Sequence, residues 1–401
     1  MISALADNTS NSCRICNSSS FSDLLNTARF PLQFGAIPPE EKKNVQQYPL
    51  TIGICNDCGL VQQLNLLDEE ILNRVYDATY YNCPSPVTTG MGISEIEKFY
   101  SFFKKNNLNK GRLLEIACFD GYLLKKFQDD GWDVYGCDPS PITKNARELL
   151  RFDKVKIEYF NDKTYPPSSF DVIIFRNLLE HIYDLHKFLN SVSISLRNSG
   201  RIFIDVPNIK QYEKYGGLGS FFHQHVSYFS IETLANLLRN HGFGIERFYE
   251  GDPNLFLQAV KTNDEKQFIL DNELNGVELN NFVKNNNSLH NQINKYFSDP
   301  KNNKIAIFGA SALTTYILSF LNPEQKNKIR YIFDNDNKKY NKQLFGSKVS
   351  ISSPDDIHGS SFDSILITTY LFDSEIRLQL KQYGLDNGKI VSINDFLKRD
   401  E

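Results

Sequence analysis

The chain has 401 residues, 41% of them hydrophobic and 23% charged, with a formal net charge of −4 at pH 7. That length predicts two or three domains whose cores can stand without disulfides. The mildly acidic balance excludes a global basic field for nucleic-acid backbone, and no stretch approaches the roughly 18 apolar residues of a membrane helix.

The opening MISALADNTSNS lacks a basic segment followed by an apolar one, so it reads as the start of a cytoplasmic protein and not as a secretory signal. Residues 1–70 read as a small lobe with β-like runs at 48–54 and 60–63. It holds two C-x-x-C pairs, Cys13/Cys16 and Cys55/Cys58. Each knuckle lets two sulfurs reach one ion, and four thiolates suit tetrahedral Zn²⁺ with no position left open. The expected role is therefore structural, with Gly59 easing the turn after the second knuckle. Cys83, Cys118 and Cys137 are scattered singly and propose no disulfide framework.

A middle domain is expected over 71–261. Its aromatic-rich entry predicts a helix over 94–103, after which strand and helix alternate. RLLEIA, WDVYGCD, KVKIEYF, FDVIIFRN and GRIFIDVP read as strands. Helices are expected at 122–130 and in PSPITKNARELL, DLHKFLNSVSISL and IETLANLLRNHG. Such alternation predicts a mostly parallel sheet covered on both faces. Residues 262–300 carry Leu, Val and Phe at helical spacing and read as a linking helix. A second alternation follows, with strands in KIAIFGAS, IRYIFDND, FDSILITTY and KIVSINDF and helices in LTTYILSFL and DSEIRLQLKQYG. We assign 262–401 to this third, Rossmann-like domain. Its lysines, Lys301, Lys304, Lys326, Lys328, Lys338 and Lys339, alternate with Asn and Asp and read as a solvated surface.

The segment LLEIACFDGYLL places an acidic residue, Glu115, near a strand end and a small-residue turn ahead of a helix. Such a turn brings backbone close to a ligand and aims helix N–H groups at it. Asp138 follows the next strand, where a carboxylate can accept ribose hydroxyls. A dehydrogenase prefers G-x-G-x-x-G, and this turn has only Gly121, so S-adenosylmethionine is favoured over NAD. The cofactor candidates are Glu115, Ala117, Phe119, Asp120, Gly121, Asp138, Pro139, Asn161 and Asn177.

EIACFDGYLL, DPSPITKNA, NLLEHIYDLHKFL and FFHQHVSYFS, behind the cysteine knuckles, together resemble the sugar C-methyltransferase family over nearly the whole chain. The resemblance implies a zinc-binding N-terminal lobe, a Rossmann-like class I methyltransferase core and a C-terminal Rossmann-like domain that helps hold a nucleotide-linked sugar. It also implies a catalytic loop like Tyr-x-Glu-His and a histidine at a strand end. His225 and His181 match, whereas Phe222 stands in place of the tyrosine and Gln224 in place of the glutamate. Histidine suits a base near neutral pH. We therefore expect His225 as general base, His181 as a positioning or polarising group and His223 as a neighbouring candidate. Tyr76 and Tyr80 lie in the upstream tyrosine-rich segment, and Asn82 breaks the family spacing there. Phe222, Gln224, Gly309, Ser311 and Asp334 are the substrate-binding candidates, the last three at the C-terminal turn FGASALTT and the strand after it. The expected activity is methyl transfer to carbon or oxygen of a nucleotide-linked sugar. A non-catalytic nucleotide-sugar-binding protein and a nicotinamide-dependent sugar oxidoreductase are the alternatives.

Overall fold

The computed structural model describes residues 12–397 apart from 33–34, 74–84, 90–91, 107, 151–152, 215–216, 218, 263–278 and 371. The chain forms two compact units that interleave along the sequence. The first comprises Met1–Asp23, Thr51–Gln211 and His223–Val277, and the second Leu24–Leu50, Tyr212–Phe222 and Glu278–Glu401.

The chain enters through strands β1 (Phe21–Pro31), β2 (Gln47–Cys55) and β3 (Val61–Gln63). β2 and β3 pair antiparallel, Ile52 opposite Gln63 and Ile54 opposite Val61, so the second cysteine knuckle is the turn of this hairpin. Gly59 N–H bonds the Cys55 carbonyl at 2.9 Å with φ of +77°, a conformation that costs a residue bearing Cβ. β1 is absent from the sequence reading because FSDLLNTARFP has no clean alternation of apolar and polar residues.

Helix Ile93–Lys104 then buries Ile96, Phe99, Phe102 and Phe103, a stripe at helical spacing. The core sheet follows with β4 (Arg112–Ile116), β5 (Asp133–Cys137), β6 (Val155–Lys156), β7 (Phe170–Arg176) and β8 (Leu196–Pro207). β9 (Ser227–Tyr228) returns to pair with β3. β10 (Phe243–Glu250) and β11 (Asn254–Lys261) complete the seven-stranded order β10-β11-β8-β7-β4-β5-β6. β4 to β8 are parallel, as alternation with helices requires, while β11 runs antiparallel to both β8 and β10. The third predicted strand shrinks to two residues because β6 is the sheet edge and pairs only with Gly136 and Cys137. β4 and β7 are neighbours from which the order runs outward in opposite directions. In a doubly wound sheet the crevice at such a reversal, beyond the carboxyl ends of the strands, is where ligands bind. This is the Rossmann-like class I core expected from the sequence.

The second unit carries β12 (Ile305–Phe308), β13 (Ile329–Phe333), β14 (Ile351–Ser352), β15 (Ser364–Ile367) and β16 (Ile390–Ser392), all parallel, in the order β14-β13-β12-β15-β16. The linking helix runs over Leu279–Ser298 and buries Phe282, Leu289, Ile293 and Phe297. No described helix is long and apolar enough to cross a membrane.

Candidate functional site

Two knuckles of the same build face each other in the N-terminal lobe. In each, the residue after the second cysteine is left-handed, Asn17 at φ 61° and Gly59 at 77°. The short sulfur contacts cross between knuckles, Cys13 to Cys58 at 3.4 Å and Cys16 to Cys55 at 3.6 Å, and all four sulfurs lie within 4.8 Å of one another. Zn–S bonds of about 2.3 Å in a tetrahedron give sulfur–sulfur edges of about 3.8 Å. The cluster fits that polyhedron with only a slight expansion, and with four protein ligands it is a structural zinc site.

At the ends of β4 and β7, three residues other than glycine hold positive φ: Ala117 at 61°, Phe119 at 49° and Asn177 at 45°. Such conformations cost free energy and gather where a backbone must present itself to a ligand. Glu115, 5% exposed, leaves Oε2 without a hydrogen-bond partner among the described residues. Burial pushes its carboxyl up to about 8 against the nearby Arg176 guanidinium. An unpartnered buried acceptor beside a left-handed, small-residue turn fits a bound S-adenosylmethionine.

The other cofactor candidates divide. Asp138 accepts Phe119 N–H at 3.1 Å, Ser140 N–H at 2.8 Å, Thr143 Oγ1–H at 3.1 Å and the Ser140 hydroxyl. A carboxylate has about four acceptor sites, so a ribose hydroxyl has to displace one of these bonds. Asp120 is committed to Ser85 Oγ at 2.7 Å, Val87 N at 2.9 Å and Tyr122 N at 3.1 Å, tying the turn to the segment ahead of helix Ile93–Lys104. Asn161 is exposed and closes its own turn through Lys163 N–H and the Tyr159 carbonyl. Pro139 and Asn177 are exposed at the same strand edge. Gly121 ends the β4 turn and begins helix Tyr122–Asp129.

The structure brings two predicted histidines together and leaves a third aside. A short 3₁₀ turn, Leu179–His181, follows β7 and carries Glu180 and His181. The His181 and His225 rings meet edge to face with centroids 4.7 Å apart. Glu180 Oε1 stands 3.9 Å from His181 Nε2 and 4.0 Å from His225 Nε2. Those spacings exceed the ~3.4 Å edges of a tetrahedron built on bonds of about 2.1 Å, so this trio is looser than the thiol cluster. His181 Nδ1 lies 2.8 Å from the Gln224 carbonyl; a carbonyl only accepts, so Nδ1 carries the proton and Nε2 of the neutral ring keeps its lone pair. Burial lowers His181 to about 4 and holds His225 well below its usual value, so both rings are neutral at pH 7. Glu180, 1% exposed with neither oxygen hydrogen-bonded, is pushed up to about 8 by the same burial. His223 is fully buried and stands outside this trio.

Several residues here escape the sequence reading. Glu180 sits beside His181 in LLEHI, and its only signal is that adjacency. Arg176 and Asp205 form a buried pair, Nη2 to Oδ2 at 2.8 Å, on neighbouring strands where they stand directly opposite each other. Tyr76 and Tyr80 lie outside the described residues. Phe222 belongs to the second unit and His223 to the first, so the chain crosses between units at this loop.

In the second unit, Gly309, Ser311 and Asp334 come together at the ends of β12 and β13. Gly309 N–H bonds the Phe333 carbonyl at 2.8 Å, and Asp334 Oδ2 accepts Ala310 N–H at 2.7 Å and Lys339 Nζ at 3.1 Å. Ser311 caps helix Ala312–Phe320.

Comparison with known proteins accounts for most of the chain. Residues 92–247 match the family model described as "Methyltransferase domain", residues 13–72 one described as "Putative zinc binding domain", and residues 301–391 one described as "C2185-like, N-terminal". The C-methyltransferase NovU of Streptomyces niveus is 23% identical over 247 residues, 60% of this chain and 57% of that protein. A ubiquinone biosynthesis O-methyltransferase of Rhodopseudomonas palustris is 30% identical over 102 residues, 24% of this chain and 40% of that protein. In both cases the match spans less than two thirds of the curated relative. A crystal structure of an S-adenosylmethionine dependent methyltransferase from Mesorhizobium loti aligns with TM-score 0.35 and 16% identity, over 42% of this chain and 98% of that one. With a zinc-binding domain leading directly into a methyltransferase domain, the chain belongs to the sugar C-methyltransferase-like family that its motifs resemble.

Proposed function

We propose that this protein transfers a methyl group from S-adenosylmethionine to a nucleotide-linked sugar, with His225 as general base. In this reading the chain works as three modules, 1–70, 71–261 and 262–401, in the cytoplasm. The observation that carries it is the buried Glu180–His181–His225 trio at the carboxyl end of β7, next to the β4 turn. S-adenosylmethionine, when bound, supplies an electrophilic methyl on its sulfonium. Glu115 and the turn from Ala117 to Gly121 hold it, with Asp138, Pro139 and Asn177 at the rim.

The protein's own share is alignment and one proton. His225, kept neutral by burial, takes the proton from the acceptor carbon or hydroxyl. Glu180, 4.0 Å from its Nε2, balances the imidazolium that results. His181 presents an unprotonated Nε2 and so accepts a hydrogen bond from a sugar hydroxyl, which favours its positioning role over polarising a carbonyl. Gln224 orients His181 through its carbonyl. In the second unit, the capped start of helix Ala312–Phe320 and neighbouring Lys339 suit a diphosphate.

The test starts with calorimetric titration of S-adenosylhomocysteine into wild type, Glu115→Ala and Asp138→Ala. Binding on the order of 1–10 μM, weakened in both variants, supports the cofactor site. Thymidine and uridine diphosphate sugars are then screened for release of S-adenosylhomocysteine. No binding by a folded, zinc-loaded sample overturns the reading and leaves a nucleotide-sugar-binding protein; binding of NADH in its place points to an oxidoreductase.

A further inference from the structure

The zinc lobe touches the histidine loop through two side chains with no place in the chemistry so far. Arg14 lies between Cys13 and Cys16 and is 7% exposed. Its N–H bonds Gln62 Oε1 at 3.0 Å, Nη2 donates to the Gln63 carbonyl at 2.9 Å, and Nη1 donates to the carbonyl of Val226, the residue after His225. Gln63 continues the contact: Nε2 donates to the His223 carbonyl at 3.0 Å and the His225 carbonyl at 2.7 Å, and its N–H bonds the Val226 carbonyl at 3.0 Å. The opposite side of the loop is tied to the β7 end, where Val226 N–H bonds the Glu180 carbonyl at 2.8 Å and the Gln224 carbonyl accepts from His181.

No carboxylate lies within 4.0 Å of the Arg14 guanidinium among the described residues. A buried charge held only by neutral carbonyls is costly, and a surface-binding arginine has no reason to be there. Only a planar fork serves two carbonyls at once in fixed directions; a lysine is a point donor and cannot reproduce the spacing. The backbone that aims this fork is the knuckle itself, whose geometry is set by Cys13 and Cys16.

We propose that Arg14 and Gln63 are positioning residues through which the zinc knuckle sets the conformation of the His223–Val226 loop and the placement of His225. The metal is then more than a fold anchor for a remote lobe, because the ion, the Arg14 fork and the His225 backbone form one continuous chain of bonds. This inference rests on the reading of His225 as the base, but the loop's dependence on Arg14 and Gln63 holds or fails independently of it.

The test uses the full-length, zinc-loaded protein with Arg14→Met, Arg14→Lys and Gln63→Leu. Gln63→Leu leaves the knuckle untouched and keeps the proposal testable if the arginine variants lose metal. Two measurements need no substrate. Hydrogen exchange is expected to rise by about tenfold or more at 223–228 in Arg14→Met and Gln63→Leu, with the β4 and β7 amides unchanged. In imidazole NMR, assigned by His225→Gln, the His225 titration moves up from its depressed position toward 6.5 as the loop opens to water. Arg14→Lys is expected to recover only part of either change, with zinc at one per chain and S-adenosylhomocysteine affinity as in wild type. Wild-type exchange and titration in both Arg14→Met and Gln63→Leu overturn the proposal. If the loop loosens but His225→Ala keeps full turnover on an acceptor from the sugar screen, the base assignment fails and the positioning role stands.

Discussion

Replacing Gly121 by alanine tests the turn that would receive the cofactor. Gly121 has φ of +82°, and an added Cβ would lie 2.8 Å from Ala146 Cβ and 2.9 Å from Ala146 Cα. A left-handed backbone costs a residue with Cβ roughly 1–2 kcal/mol. Overpacking against a neighbour that cannot swing away costs about 1–3 kcal/mol more. The neighbour here is a helix backbone, from Thr143–Leu150, so a total of about 2–5 kcal/mol is expected. The chain's one tryptophan, Trp132, is buried in the same cluster as Leu123, Phe127 and Ala146, so its fluorescence in urea reports this region. Ala146→Gly separates the two causes, since the double variant should recover the packing part and leave the backbone part. A loss below about 1 kcal/mol, or no favourable coupling between the two sites, refutes the close approach.

Arg176→Met strands the fully buried Asp205 carboxylate and should cost about 3–5 kcal/mol by urea unfolding; Asp205→Asn in the same background should return part of it. Cys55→Ser should lower zinc from one per chain to a substoichiometric level by metal analysis, and chelation of wild type should unfold the lobe, since structural zinc contributes folding free energy. Stability should fall as pH drops from 6.5 toward 4. The depressed His181 and His225 leave the folded state binding fewer protons than the unfolded chain there, and His181→Gln should flatten the slope. Glu180 has the opposite sign, binding more protons when folded between its ordinary 4.5 and about 8. Glu180→Gln should therefore gain stability over wild type as pH rises through that window, by up to about 1.4 kcal/mol per pH unit.

What the sequence determined by itself is what rides on short-range pattern. Cysteine spacing defines a knuckle within four residues, and the close cross-knuckle contacts of Cys13 with Cys58 and Cys16 with Cys55 follow from it. Alternating apolar runs located β4, β5, β7 and β8 and the strands of the second unit, because a parallel sheet buries both faces of each strand. The same logic missed β1 and the antiparallel β10–β11 hairpin, whose partly exposed strands carry a weaker pattern. Tertiary structure alone decided the site. His181 and His225 come from separate segments, and nothing local distinguishes His225, which meets His181, from His223, which is buried apart. Nothing local shows that Asp138 and Asp120 would be spent on their own turns, or that an arginine inside a zinc knuckle would reach the Val226 carbonyl. Hydrogen bonds and burial of this kind depend on which chain segments the fold brings within about 3 Å of each other, and a period of two or 3.6 residues carries no record of that.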